Sequence, residues 1–198
     1  YSDRLKKEEN LSGDAKKSAE IICRQSLIIS QLIDDLNLTS KLAYQAQPLK
    51  KFFCSPAQLL RECAADIYNE EIPEEKSKET EIELYISPEA EKVKILADEG
   101  LLKRALRNLI GNSVRHNPEG CHVDICLGCR NGQVFWKIFD TGKGIPEVVV
   151  QNMDTQTEKV HIMGLRLARQ IARAHGGDLA FCKRETGTYD VEVFLPVS

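Results

Sequence analysis

Several features are scarce in this 198-residue chain, and each scarcity narrows what it can be. No apolar run is long enough to span a bilayer, and no signal-peptide pattern opens the sequence. Net charge is only −3, which excludes the strong basic excess of a nucleic-acid-binding or membrane-surface protein. No internal repeat or low-complexity tract occurs. The seven cysteines are odd in number and scattered, which argues against a disulfide framework and for free thiols in a reducing compartment. Cys126 and Cys129 form a CxxC. No second CxxC or CxxH pair lies at zinc spacing, so the pair reads as part of a strand. No histidine precedes His116. What remains is an ordinary composition, 42% hydrophobic and 29% charged, long enough for one full domain plus an appended element.

The appended element comes first. Residues 1–10 are charged and helix-compatible, and read as the tail of a helix; Leu11-Ser12-Gly13 makes a turn. Asp14 to Gln47 contains neither Pro nor Gly, and Pro48 ends it. Ile22, Ile29, Leu36 and Ala43 recur every seven residues, with Gln25, Leu32, Thr39 and Ile33 beside them. A helix so long and so striped is expected to pair with the helix before it and with a second chain, or to lie on its own domain.

Beyond Pro48 the pattern alternates. Lys51–Cys54 is a short strand candidate, and Ser55-Pro56 a strong helix start. Strands are expected near Glu81–Ile86, Val93–Ala97, Cys121–Cys129, Gln133–Phe139, Leu179–Lys183 and Tyr189–Leu195. The turn Arg130-Asn131-Gly132 joins the third and fourth of these. Val134, Trp136 and Ile138 in one register, and Phe135 and Phe139 in the other, suggest a strand buried on both faces. Met163–His175 forms a helix, closed by Gly176-Gly177. The expected fold is α+β: a two-layer sandwich with a mixed sheet and helices on one face, preceded by a long helical stalk.

Two segments carry the chemistry. From Asp98 to Pro118, Leu102, Ala105, Leu106, Leu109 and Ser113 form an apolar helical face, with Asp98 as N-cap. Asn108, Asn112 and His116 stack along a polar face at i, i+4 and i+8, with Arg115 beside them. Asn is a poor helix former. Two in one helix fit either a neutral oxygen ligand for a hard cation or a structural capping role. The second segment, Phe139-Asp140-Thr141-Gly142-Lys143-Gly144-Ile145-Pro146, leaves a strand through two glycines that permit close backbone approach. No GKS or GKT follows, so it is not a P-loop. Lys103, Arg104, Arg107, Arg115, Lys143, Arg166 and Arg169 lie in or near these motifs, favouring a local anionic ligand; Lys103 and Arg104 also suit a solvated helix surface.

Together these residues resemble a known family: the ATP-binding catalytic domain of sensor histidine kinases, in the wider group with gyrase, MutL and a heat-shock chaperone. RNLIGNSVRHNP is similar to its N box, FDTGKGIP to its G1 box, and GLRLARQIARAHGG to its G2 box and following helix. The stretch AEIICRQSLIISQLIDDLNLTSKLAYQAQPLK resembles the second helix of the dimerisation and phosphotransfer hairpin. The resemblance implies a Bergerat-type fold, a partial hairpin over 1–48 and a catalytic domain over 49–198. It implies that Asn112 binds magnesium, that Asn108 supports its hydration shell, and that Arg115 meets the phosphates of ATP. His116 would flank the nucleotide, Asp140 would accept from the adenine amine, and Gly142, Gly144 and Ile145 would shape that end. Gly164 and Leu165 would open a helix whose amides face the phosphates. The implied partners are a second copy, through the stalk, and a response regulator; the parent would be membrane-anchored with this part in the cytoplasm.

Two departures matter. The glycine-rich G2 pattern GxGLGL is matched here by Val160, His161, Ile162, Met163, Gly164 and Leu165, with one glycine of three. The loop from Pro146 to His161 is short and has no aromatic F box, which implies weaker closure over a nucleotide; His161 either donates to a phosphate or faces solvent. A nucleotide-binding module without transfer activity therefore stands beside the kinase reading. The family's phosphoacceptor His sits on the first hairpin helix. His116, His122, His161 and His175 all lie elsewhere, so the chain is expected to begin past the acceptor and to be unable to phosphorylate itself on histidine. The polar helix face has no carboxylate after Glu99 to activate water, which favours a kinase over a hydrolysing ATPase.

Overall fold

A computed structural model describes residues 13–72, 79–153 and 160–197. Expectations for residues 1–10, for the centre of the loop at 154–159 and for the His161 side chain lie outside the described residues.

The order is α1 (Gly13–Ala43), β1 (Phe52–Cys54), α2 (Pro56–Glu71), β2 (Glu81–Ile86), α3 (Pro88–Lys92), β3 (Ile95–Ala97) and α4 (Glu99–Arg115). Then come β4 (His122–Arg130), β5 (Gln133–Asp140), α5 (Glu147–Gln151), α6 (Val160–Ala174), β6 (Asp178–Lys183) and β7 (Tyr189–Pro196). The main sheet has strand order β2-β4-β5-β7-β6, and β1 pairs with β3 in a two-stranded sheet. Only β2 and β4 run parallel; the other pairs are antiparallel, so the sheet is mixed. The α+β architecture expected from the sequence is present.

Local signals explain the strongest boundaries. Ser55 Oγ accepts from the Gln58 amide, and Asp98 Oδ1 accepts from the Leu101 amide, so both helices start on side-chain caps. Asn131 and Gly132 both take positive φ, 50° and 73°, which a two-residue type I′ hairpin requires. Gly176, at φ 84°, closes α6.

The core lies between one face of the sheet and helices α2, α4 and α6. Val123, Ile125 and Leu127 of β4 and Val134, Trp136 and Ile138 of β5 are buried against Leu102, Leu106, Leu109 and Ile110 of α4 and Leu167 and Ile171 of α6. Each such aliphatic side chain contributes about 2 kcal/mol relative to exposure.

Three expectations need correction. The β5 strand is buried on one face only: Phe135 and Phe139 are half-exposed on the other. Their size reflects a thin cover of cations, with the Arg130 guanidinium 4.6 Å from the Phe135 ring and Lys137 5.7 Å from that of Phe139. Helix α1 ends at Ala43, where Tyr44 and Gln45 form a turn with Gln45 at φ 53°, four residues before the expected stop. Helix α6 begins at Val160, three residues early.

Helix α1 rests on α6, and Leu38 and Leu42 join the hydrophobic core. Asp35, buried, accepts from Arg104 Nε of α4 at 2.8 Å. The expected stripe lies elsewhere: Ile22, Ile29, Ile33 and Leu36 are all at least half-exposed. No described helix is long and apolar enough to cross a membrane. Cys126 and Cys129, three apart on β4, face opposite sides of the sheet, and Cys129 packs on the core. One metal site cannot use both. Burial pushes the Cys63 thiol up to about 12 and raises those of Cys54, Cys121, Cys126 and Cys129, so these remain protonated thiols.

Candidate nucleotide-binding site

Helix α4 turns its polar face toward the end of β5, because its apolar face is consumed by the sheet. Between them lies an open pocket. Of the residues singled out from the sequence, Asn112, His116, Asp140, Gly144, Ile145 and Leu165 line it. Asn108, Arg115, Gly142 and Gly164 stand around its edge or behind it.

The Asp140 end is the more tightly built. Asp140 Oδ1 accepts from the Gly142 amide at 2.9 Å and from Asn117 Nδ2 at 3.4 Å. Asn117, buried just past the end of α4, also donates to the Ser113 carbonyl at 2.7 Å and accepts from the Lys143 amide at 3.1 Å. One amide thus ties the end of α4 to the loop leaving β5. Gly142 sits so close that an added Cβ would fall 2.0 Å from Asn117 Oδ1. Gly144 takes φ 62°, a conformation that favours glycine. Behind Asp140, Arg184 Nε donates to Asp190 Oδ1 at 2.6 Å and Nη1 to the Gly142 carbonyl at 3.2 Å.

Sequence reading missed Asn117 as a site residue and missed Arg184 and Asp190 altogether. A single cue existed for Asn117: it is a third amide within ten residues, beside a helix end. Arg184 and Asp190 lie over 40 residues from Asp140 in sequence and had none.

The α6 end is looser. Asn112 Oδ1 accepts from Arg115 Nη2 at 3.1 Å. Asn108 Nδ2 is buried and has no hydrogen-bond partner among the described residues. Gly164 faces Asn108, with an added Cβ 3.6 Å from its Cγ, an ordinary contact. Gly164 and Leu165 do not open α6, as expected from the glycine pattern; they lie one turn inside it. The physical reason is composition. Val160, His161, Ile162 and Met163 are all compatible with helix where glycines would not be, so the helix extends backward by a turn.

Most of the basic residues near the motifs serve ion pairs away from the pocket. Lys103 meets Glu62 and Glu99, Arg107 meets Asp66 and Glu70, and Arg169 meets Asp178. Arg104 is held by Asp35, and Arg166 donates to the Asn152 carbonyl. His175 also has a structural task. Its Nδ1 donates to the Ile171 carbonyl at 2.7 Å, and its Nε2 accepts from the Asp98 amide at 2.9 Å. Acceptance at Nε2 needs a neutral ring, and burial lowers its pKa.

The pocket thus joins an oxygen-bearing helix to a carboxylate at a strand end. The family model described as histidine kinase-, DNA gyrase B-, and HSP90-like ATPase matches residues 97–198, more than half of the chain. The chain belongs to this family. Its match covers α4, the β5 loop, α6 and the last two strands, the elements that build the pocket. The chain is 26% identical over 175 residues to the sensor histidine kinase YvrG of Bacillus subtilis, covering 84% of this chain and 29% of YvrG. Among solved structures, full-length ShkA in complex with AMPPNP superposes with a TM-score of 0.75 at 23% identity, covering 98% of this chain and 40% of ShkA. Histidine kinase ThkA in complex with response regulator protein TrrA gives 0.70 at 21%, covering 98% and 55%. These likenesses show the fold of a histidine kinase catalytic, ATP-binding domain. The chain spans about a quarter to a third of the length of the curated relatives it matches.

Proposed function

We propose that this chain is the catalytic part of a two-component sensor histidine kinase, binding Mg-ATP and passing its γ-phosphate to a histidine on a hairpin helix, for relay to a response regulator. The observation that carries the reading is the meeting of the α4 polar face with the Asp140 loop in one pocket. Asp140 accepts from the adenine amine, and Gly142, Gly144 and Ile145 shape the surface against the base. His116 flanks the nucleotide, and Arg115 meets its phosphates. Asn112 offers an amide oxygen to magnesium, and Asn108 orders the water around it. The pocket-facing Asn112 amide oxygen fits such an ion, which needs few protein oxygens when phosphates supply others, and the buried Asn108 Nδ2 donor fits a phosphate or water oxygen. Magnesium, when bound, would neutralise charge on the phosphates. Leu165 closes the pocket floor, and Gly164 leaves room beside Asn108.

The helix offers no base for water. Beyond Glu99, α4 carries only amides, a hydroxyl, cations and apolar groups, so bound ATP persists until an imidazole approaches. That histidine comes from the first hairpin helix of a complete stalk. The exposed Ile22, Ile29, Ile33 and Leu36 suit pairing with a second copy, as expected of the stalk over 1–48. The membrane-anchored parent would hold the catalytic domain, 49–198, in the cytoplasm.

Titration calorimetry with Mg-ATP and Mg-ADP tests the site. Asp140→Asn, still folded, should lose binding by about 100-fold or more, the scale of a charged hydrogen-bond acceptor lost in a buried site. Unchanged affinity would remove Asp140 from the site. Transfer of labelled phosphate to a supplied histidine-bearing hairpin then tests the kinase. The extension of α6 back to Val160 favours a second reading, a nucleotide-binding regulatory module without transfer. Tight ADP binding with no transfer to a complete hairpin would decide for it, and steady phosphate release by the chain alone would point to an ATPase.

A further inference from the structure

Arg184 lines the base end of the pocket beside Asp140. Its side chain is only 16% exposed, and a guanidinium at that depth must have its donors met. All three nitrogens face acceptors. Nε donates to Asp190 Oδ1 at 2.6 Å, Nη1 donates to the Gly142 carbonyl at 3.2 Å, and Nη2 lies 3.6 Å from Asp140 Oδ2. One planar fork therefore ties β7 to the end of β5 and to the loop beyond it. The loop wraps it closely: a Cβ on Gly144 would fall 2.8 Å from Arg184 Nη1 and from Thr188 Oγ1.

The division of labour on Asp140 follows. Oδ1 is already used twice, by the Gly142 amide and by Asn117. Among the described residues Oδ2 meets Arg184, at ion-pair rather than hydrogen-bond distance, and so retains capacity to accept. A carboxylate held at Oδ1 by two donors and faced at Oδ2 by a guanidinium is restrained in rotation, and a carboxylate oxygen there is an acceptor. A base with an exocyclic amine supplies the matching donor. A base with a carbonyl there sets oxygen against oxygen.

We propose that Arg184, clamped by Asp190, is a positioning residue of the nucleotide site: it aims Asp140 Oδ2 and thereby sets a preference for adenine over guanine nucleotides. This rests on the nucleotide-binding reading above. Lysine would be a poor substitute, since a compact ammonium cannot present a rigid fork to three acceptors.

The test compares Mg-ADP and Mg-GDP binding by calorimetry on the 198-residue chain, with R184M, R184K, D190N and D140N. Wild type should bind ADP more tightly than GDP. R184M should weaken ADP by about tenfold, the loss of one charge-assisted contact, and bring the ADP-to-GDP ratio toward one. R184K and D190N should fall between wild type and R184M. Thermal melts report folding; should R184M not fold, R184K and D190N carry the test. Folded variants that keep both affinity and discrimination overturn the inference but leave the nucleotide reading standing if D140N still abolishes binding. Equal losses for ADP and GDP mark a merely structural role and overturn it as well. Failure of folded wild type to bind either nucleotide removes both readings.

Discussion

The two ends of the pocket are built by opposite strategies. At the Asp140 end, buried Asn117 and the Arg184 fork fix one loop from two sides, with glycine wherever a side chain would collide. At the α6 end, Asn108 Nδ2 is buried without a partner among the described residues, and helix-compatible residues stand where glycines would loosen the chain. The first end is finished before any ligand arrives. The second has an unmet donor that a ligand or its water would satisfy. Preorganisation reduces the ordering cost of binding, so the finished end should carry most of the affinity.

That contrast can be attacked in order of expected effect. Gly142→Ala should do most damage, because its Cβ must displace Asn117. A loss of about 3 kcal/mol in urea unfolding is the scale for breaking a buried polar network, and ADP binding should fall beyond measurement. Asn117→Ala should cost about 2 kcal/mol and roughly tenfold in ADP affinity, since it strands the Lys143 amide. If either variant binds normally, the tight end is not where affinity lies.

The looser end should behave differently. Asn108→Ala removes a donor that has no partner, so unfolding without nucleotide should shift by less than about 1 kcal/mol. Its cost should appear instead in how strongly ADP affinity depends on magnesium. Away from the pocket, His175 couples the C-terminal end of α6 to the start of α4, and its folded-state pKa is lowered by burial. The unfolded ring therefore binds a proton more readily. Stability is complete above the ordinary value near 6.5 and falls as pH drops below it. Urea midpoints at pH 7.5 and 5.5 should show that loss in wild type and a smaller one in His175→Gln. His122 runs the other way. Partial burial lowers its pKa, but Asp124, Glu81 and Glu83 outweigh this and raise it, so its contribution fades as pH climbs past the folded value. Smallest of all, Gly164→Ala meets only ordinary contacts inside a helix and should stabilise by about 0.5–1 kcal/mol.

What could be read from the sequence was what local chemistry writes there. Asp98 and Ser55 announce helix starts, Asn131-Gly132 announces a hairpin, and the Asp140 loop announces itself by its glycines. The amides of α4 were visible because Asn is out of place in a helix. The rest depended on distance along the chain. Nothing near Arg184 says that Asp140, 44 residues earlier, is its neighbour. The cations around α4 looked like a phosphate cluster until Glu62, Asp66 and Asp35 were found opposite them. The strand β5 looked buried twice because phenylalanine gives no sign that an arginine or lysine, not a second layer, lies over it. The backward growth of α6 is implicit in its missing glycines, since helix-compatible residues stand where glycines would interrupt it.

Leu38 and Leu42 root helix α1 in the same core as α4. Prying that helix off would expose both leucines, at about 2 kcal/mol each, before counting the broken Asp35–Arg104 pair. From that pivot to Gly13 the helix reaches about 43 Å at 1.5 Å per residue, so a lean of about 10° sweeps its distant tip through roughly 7 Å. A sub-ångström adjustment where the leucines seat is thus geared up into a displacement larger than a helical turn, and the gearing runs equally well in reverse.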